Sequence, residues 1–350
     1  MTISTSPKRV LVTGGFGYVG SRLTPHLLEQ GHFVRVLDLC LYGEAGVEAL
    51  KKSPDWAKYK DRFEFLKEDM RDPAVAERAM KSMDSVIHLA AISNDPTGEV
   101  DEVITRQNNF DAVGLLLSHA KKSGVKRFIN ASSSSVFGIK KDPDVSEALE
   151  PEPITFYSKY KMLSEWLVVS ASAPDFCTVN IRPATICGYS ARQRFDLTVN
   201  KLTADAVKKN LITVHGGEQR RPNVGMTDMV NLYGLLLDAS ADLINGRTFN
   251  FGFENLKVIE IAQTIRKVLE DKQIDIKVTA TTDNRDYHIS SAKILEVLKY
   301  KPVSSIRQEV LNLRKALESG AFRDIDADEY YNMKMMKMDR SAAPYRFLSR

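Results

Sequence analysis

Short runs of consecutive apolar residues, each closed by a glycine or a polar residue and followed by a stretch of helical periodicity, organise the first half of the chain. Val10-Leu11-Val12 follows Lys8-Arg9 and runs into glycines at 14, 17 and 20. A helix is predicted over residues 18–30, then Gly31 and a second strand, Phe33-Val34-Arg35-Val36-Leu37. The alternation continues through Phe63-Glu64-Phe65-Leu66, a helix at 73–82, Ser85-Val86-Ile87-His88-Leu89 and a long helix over 99–123. Arg127-Phe128-Ile129-Asn130, a helix over 156–172 and Cys177-Thr178-Val179-Asn180-Ile181 complete it. Unbroken apolar strands separated by helices belong to a parallel sheet covered on both faces. The expected fold class is therefore α/β, with six strands in a doubly wound parallel sheet.

Past Pro183 the rhythm changes. Helices are predicted over 195–209, 228–240, 258–270 and 305–318, with brief strands at 247–251 and 274–278. The pattern reads as a smaller α/β lobe covering a substrate and interwoven with the sheet, giving expected divisions at 1–183, 184–320 and a tail over 321–350. Met333, Met335, Met336 and Met338 mark that tail as a packing or interface segment.

Composition narrows the class. The chain has 350 residues, enough for a large core, and a formal charge of +4 without a basic stripe interleaved with aromatics, so nucleic acid is not expected as a partner. No apolar run approaches a membrane span, and no signal-peptide pattern opens the sequence. Cys40, Cys177 and Cys187 share no metal-ligand spacing; the expectation is reduced, buried thiols, no metal and a cytoplasmic protein.

Three features carry chemistry. A strand, a glycine turn and a helix in that order build a seat for a dinucleotide pyrophosphate, which makes Gly14, Phe16, Gly17, Tyr18, Val19 and Gly20 candidate cofactor residues. Asp38 ends the second strand, 18 residues past Gly20, where an acid accepts hydrogen bonds from ribose hydroxyls. A 2′-phosphate would meet like charge there, and Leu39 offers no arginine, so NAD is expected rather than NADP. Tyr157 and Lys161 lie four apart on a predicted helix and share a face. A phenol ionises near pH ~10 in isolation, and a neighbouring ammonium favours the phenolate. Tyr330 and Lys334 repeat the spacing and are read as accidental. Only the first pair follows a hydroxyl cluster, Ala131-Ser132-Ser133-Ser134-Ser135-Val136-Phe137-Gly138, at the carboxyl edge of the sheet, where such folds bind ligands.

Taken together, these motifs with Glu68-Asp69-Met70-Arg71-Asp72, His88-Leu89-Ala90-Ala91, Asn109 and Arg182-Pro183 resemble the extended short-chain dehydrogenase/reductases of Rossmann type. More narrowly, the chain is similar over residues 8–320 to their nucleotide-sugar epimerase/dehydratase group. The resemblance implies Ser133 as the catalytic hydroxyl, Tyr157 as acid/base and Lys161 as the residue that holds the cofactor ribose. It places Asp69 and Met70 at the adenine, Leu89, Ala90 and Ala91 beside the pyrophosphate, Asn109 as a brace near the active site and Pro183 at the nicotinamide. Asn94, Ser133, Ser134, Asn200, Arg221 and Arg285 are the implied substrate contacts.

The expected activity is NAD-dependent epimerisation of a nucleotide-activated sugar through a transient keto intermediate at C4. The alternatives are a net ketoreductase or dehydrogenase and, from a different class, a non-catalytic dinucleotide sensor. A homodimer through the helices over 99–123 and 156–172 is implied too. The sequence departs from the group's pattern at Phe137, usually Tyr, and at Gly225-Met226-Thr227-Asp228, which replaces a His-Val-x-Asp run. Ser134-Ser135 stand where 4,6-dehydratases carry Asp-Glu, which disfavours dehydration.

Overall fold

A computed structural model describes residues 6–142, 144–281, 286 and 288–338. Among them twelve strands form, in chain order β1 (Arg9–Thr13), β2 (Phe33–Leu37), β3 (Phe63–Leu66), β4 (Ser85–His88), β5 (Arg127–Ala131) and β6 (Cys177–Pro183). They continue with β7 (Thr185–Cys187), β8 (Leu211–His215), β9 (Arg220–Gly225), β10 (Arg247–Phe251), β11 (Glu254–Lys257) and β12 (Asp275–Thr279). The main sheet has seven strands in the order β10-β6-β5-β4-β1-β2-β3, parallel throughout.

Successive strand residues point to opposite faces, and the core divides accordingly. Val10, Val12, Val34, Val36, Ile87 and Ile129 enter one buried cluster, together with Leu23 and Leu27 of the helix Gly20–Glu29 and Leu232 and Leu236 of the helix Met226–Asp238. Leu11, Leu37, Val86 and Phe128 enter the cluster on the other face, with Leu116 and Val168. The sheet is therefore covered on both sides, as its apolar strands require.

The seventh strand corrects the expected count of six. Arg247–Phe251 pairs with β6, setting Phe249 beside Ile181, and both are fully buried. Without β10, β6 would be an apolar edge with unpaired backbone groups, which folds avoid. The lobe after Pro183 thus returns a strand and a covering helix to the main sheet. The remainder of the lobe is a three-stranded sheet ordered β11-β9-β7 and a parallel β12-β8 pair. Helices Thr198–Lys209, Val258–Val268 and Ile306–Glu318 enclose its own core, which includes Phe195, Leu202, Ile212, Ile265 and Leu313.

The helix expected over 99–123 is interrupted. Short helices at Asp95–Gly98 and Glu102–Arg106 precede a π turn at Gln107–Asp111, and the regular helix resumes at Ala112–Lys122. Asn94 and Asp101 each cap a new start, accepting from Thr97 N (2.9 Å) and Ile104 N (3.0 Å). The π turn, a form often found at functional sites, carries Asn109. Among the described residues no helix is long and apolar enough to cross a membrane.

Two glycines govern the turn after β1. Gly14 has φ +70°, and a Cβ there would lie 2.7 Å from Ala90 N. A Cβ on Gly20 would run into Gly14 O and lie 2.6 Å from Gly15 Cα. Gly20→Ala is expected to cost about 1–3 kcal/mol, the range for overpacking, in urea unfolding. Gly17→Ala, whose Cβ would meet only Gly14 O at 3.3 Å, is expected to cost less than Gly20→Ala.

Candidate active site

The cavity lies at the carboxyl ends of the parallel strands, the position at which open α/β sheets bind ligands. Five of the seven strands deliver a wall: Gly14 follows β1, Asp38 follows β2, Leu89 follows β4, Ser132 and Ser133 follow β5, and Ala184 follows β6. Phe16, Gly17, Tyr18, Val19, Gly20, Met70, Ala90, Ala91 and Pro183 line the same space, as do Ser133, Tyr157 and Lys161.

The residues present fit a dinucleotide. Asp38 accepts from Phe16 N (2.8 Å) and Cys40 N (2.7 Å), so its carboxylate is fixed on the cavity wall with acceptor capacity to spare. Removal from water pushes its pKa up, and those backbone N–H groups oppose the rise. Beyond Gly17 the amino end of the helix Gly20–Glu29 opens onto the cavity, which suits a pyrophosphate.

The catalytic candidates converge from two elements. Thr155 caps the helix Phe156–Ser170 through a reciprocal pair with Ser158, and that helix presents Tyr157 and Lys161 one turn apart. Ser133 Oγ accepts from Ser135 N (3.1 Å) and donates to Ser135 Oγ (3.1 Å). Ser135 Oγ in turn donates to Asp95 (3.2 Å), and Asp95 also accepts from Thr155 Oγ1 (2.7 Å). Asp95 therefore ties the serine turn to the cap of the helix that carries Tyr157 and Lys161 and brings a carboxylate to the serine run from a different element. No motif in the sequence marks it: Asn94 is the residue of this turn expected to meet the substrate, and Asp95 is reached only through contacts distant in the chain.

Beneath the site is a buried ionic cluster. Arg182 donates to Glu165 through Nε (2.9 Å) and Nη2 (2.7 Å), Ser132 Oγ donates to the same carboxylate, and the Arg182 guanidinium lies over the Phe137 ring at 4.8 Å. Phe137, the expected tyrosine's replacement, thus serves as an apolar floor for a cation. Lys161 Nζ donates to Ala131 O (2.7 Å). Burial lowers the Lys161 pKa to about 8, against the upward pull of Glu165. His88, bonded to Thr13 Oγ1 (2.7 Å), is held neutral, its pKa lowered to about 3 by burial and then by Lys161.

Several expected contacts are placed otherwise. Asn109 uses both ends of its amide on Ile92, accepting from its N and donating to its O at 2.9 Å each. It braces the loop after β4 and is not on the cavity wall. Asp69 binds Arg71 (2.6 Å) beside a separate depression, leaving Met70 on the main cavity. Asn200, fully buried, accepts from Gly188 N and donates to Tyr18 Oη and Arg194 O, all at 2.9 Å; it joins the lobes and has no donor left for a diphosphate. Asn94, Ser134 and Arg221 do line the cavity. Arg285 lies outside the described residues.

Asp228 of the variant Gly225–Asp228 run accepts from Tyr300 Oη, Val303 N and Ser304 N, a structural role. Tyr330 is packed against Phe195 and Phe322 and Lys334 pairs with Asp328, so this second Tyr–Lys spacing is structural. The three cysteines are free and buried, and among the described residues no cluster suits a metal ion. Sequence reasoning missed Asp95, Arg192 and Asn332, all on the cavity wall. Asn332 arrives from the tail, where no motif signals it.

A doubly wound parallel sheet with a dinucleotide seat and a Ser-Tyr-Lys trio defines an NAD-dependent class of enzyme. Residues 10–252 match the model of the NAD dependent epimerase/dehydratase family, and the chain belongs to that family; its cofactor is NAD. It is 28% identical to the uncharacterized protein y4nG of Sinorhizobium fredii over 75% of this chain, and the match spans 59% of that relative's length. It is 27% identical to YtcB of Bacillus subtilis, described as an uncharacterized UDP-glucose epimerase, over 87% of this chain and 96% of the relative. The fold is shared with the UDP-glucuronic acid 4-epimerase of Bacillus cereus, solved with UDP-glucuronic acid and NAD: TM-score 0.77, 23% identity, 89% of this chain and 99% of that one.

Glu165→Gln tests the buried cluster. Leaving the Arg182 charge buried and less compensated is expected to cost about 3–5 kcal/mol in urea unfolding. Because Glu165 holds the Lys161 pKa up, the variant is expected to lose activity at lower pH on the alkaline side than wild type does.

Proposed function

We propose that this enzyme epimerises a nucleotide-activated sugar at C4 through a transient keto intermediate. The observation that carries the reading is the meeting in one cavity of Ser133, Tyr157 and Lys161 with the Asp38 and Gly17 cofactor wall and with Arg221 from the second lobe. Bound NAD supplies reversible hydride acceptance at its nicotinamide. The rest belongs to the chain.

Tyr157, as phenolate, takes the proton of the sugar hydroxyl and returns it after the sugar has turned. Ser133 Oγ, oriented by Ser135, binds that hydroxyl and the oxygen it becomes. Lys161, charged below pH about 8, favours the phenolate and would hold the cofactor ribose. Arg221, 8% exposed on β9, has the planar donor fork suited to the nucleoside diphosphate, with Asn94 and Ser134 as further polar contacts. A cycle that restores Tyr157 and consumes no reductant suits an NAD-selective site with Asp38 on its wall. The near-complete span of the match to YtcB, described as an uncharacterized UDP-glucose epimerase, supports the same reading.

Tyr157→Phe is expected to lower turnover at least ~10²-fold, the scale of a lost general acid/base, with NAD affinity retained by calorimetry. Tyr330→Phe is expected to keep wild-type turnover. Near-wild-type activity of Tyr157→Phe would remove the proposed base.

A further inference from the structure

The cavity wall holds a buried cation that, among the described residues, has no ion-pair partner. Arg192 is 3% exposed. Its Nη2 donates to the neutral amide oxygen of Asn332 (2.5 Å), its guanidinium lies 4.5 Å from the Tyr42 ring centroid, and its Nε is buried without a hydrogen-bond partner. Among the described residues it forms no ion pair, whereas Arg194, two residues on, is neutralised by Asp196 through two bonds of 2.8 and 3.0 Å. The carboxylates whose fields reach Arg192 are Asp196 and Asp38. The first is ion-paired with Arg194, and the second, bonded to Phe16 N and Cys40 N, acts on Arg192 only through space.

Burial and then the charge of Arg194 bring the Arg192 pKa down to about 10, so it stays a cation at neutral pH. An ion in a protein interior that is hydrogen-bonded only to neutral groups, with carboxylates acting only through space, is unfavourable. A ligand that brings an anion removes that penalty.

The C-terminal segment fixes the cation in place. Asn332, 1% exposed, also donates through Nδ2 to Ser93 Oγ (3.0 Å) and through its backbone N to Asp196 (3.2 Å). One turn on, Met336 is buried with Ile92 and Ile104 and packs against Leu41 and Tyr42. This segment lies beyond the family-matching residues 10–252, yet it joins the loop after β2 to the second lobe.

We infer that Arg192, held by Asn332, is the charged partner of the cofactor pyrophosphate. The choice between the two phosphate sources follows from position. Arg192 lies over Tyr42 and within the field of Asp38, both on the loop after β2 in the cofactor half, and it shares the cavity with Gly17. Arg221 stands on β9 in the other lobe. The inference rests on the NAD-dependence of the family and is independent of which sugar carbon reacts.

The test is calorimetric titration of the full chain with ADP-ribose, which carries the pyrophosphate, with displacement by adenosine, which lacks it. Arg192→Gln is expected to weaken ADP-ribose about 10-fold or more, as for a lost charged hydrogen bond, and to leave adenosine unchanged. Arg192→Lys should recover part of the loss. Asn332→Asp, which sets a competing carboxylate on Arg192, should weaken ADP-ribose more than Asn332→Ala does. Ligand-free Arg192→Gln should melt no lower than wild type, because it removes an uncompensated buried charge, whereas loss of a purely structural residue lowers the melting temperature. Equal losses for adenosine and ADP-ribose, or a loss confined to UDP or GDP, would overturn the assignment. A wild-type chain that failed to bind ADP-ribose would overturn it together with the cofactor.

Discussion

The close approach of two loops at the carboxyl edge of the sheet governs this molecule. Gly14, in a left-handed turn after β1, lies so near the backbone of Ala90 after β4 that no side chain fits between them. That contact aims the helix Gly20–Glu29 at the cavity and sets Ala90 and Ala91 opposite it. Asp38 is fixed to the same turn through Phe16 N. A parallel sheet presents its strand ends together; the glycine turn leaves room for a dinucleotide among them.

Electrostatics around this frame is arranged in layers. The Glu165–Arg182 pair under the serine turn is satisfied within the chain, apart from Arg182 Nη1, which is buried without a partner. Lys161, one turn before Glu165 on the same helix, is pulled toward neutrality by burial and toward charge by that carboxylate. Arg192, on the cavity wall itself, is left with neutral contacts. Of the two neighbouring arginines on the cavity wall, Arg194 is paired with Asp196 within the chain, and Arg192 is the one we infer to be completed by a ligand. This division follows from the cost of a lone buried ion.

Much of this was legible in the sequence, for reasons that differ from residue to residue. Period and strand length announced the parallel sheet, and the glycine spacing, Asp38 and the Tyr157–Lys161 spacing pointed to residues that line one cavity, because each signal is local. The seventh strand was assigned to the wrong layer, since nothing in Arg247–Phe251 says which edge it will cover until β6 is known to need a neighbour. Asn200 is expected as a substrate contact and instead spends its amide on Gly188, Arg194 and Tyr18, whereas Asn109 braces the loop after β4 through Ile92. Asp95 and Asn332 stayed invisible because their roles arise only from contacts with Ser135, Thr155 and Arg192, far away in the chain.

The central claim is that one cavity oxidises and restores the same sugar carbon without net redox change. Its most direct measurement uses UDP-, GDP-, CDP- and dTDP-sugars deuterated at C4, incubated with the enzyme and a trace of NAD and followed by NMR. The account predicts that one of them converts to its C4 epimer with the deuterium still at C4 and without accumulation of reduced nicotinamide. Stoichiometric consumption of added NADH by a keto-sugar nucleotide, with no interconversion of C4 epimers in any of the four, would contradict it.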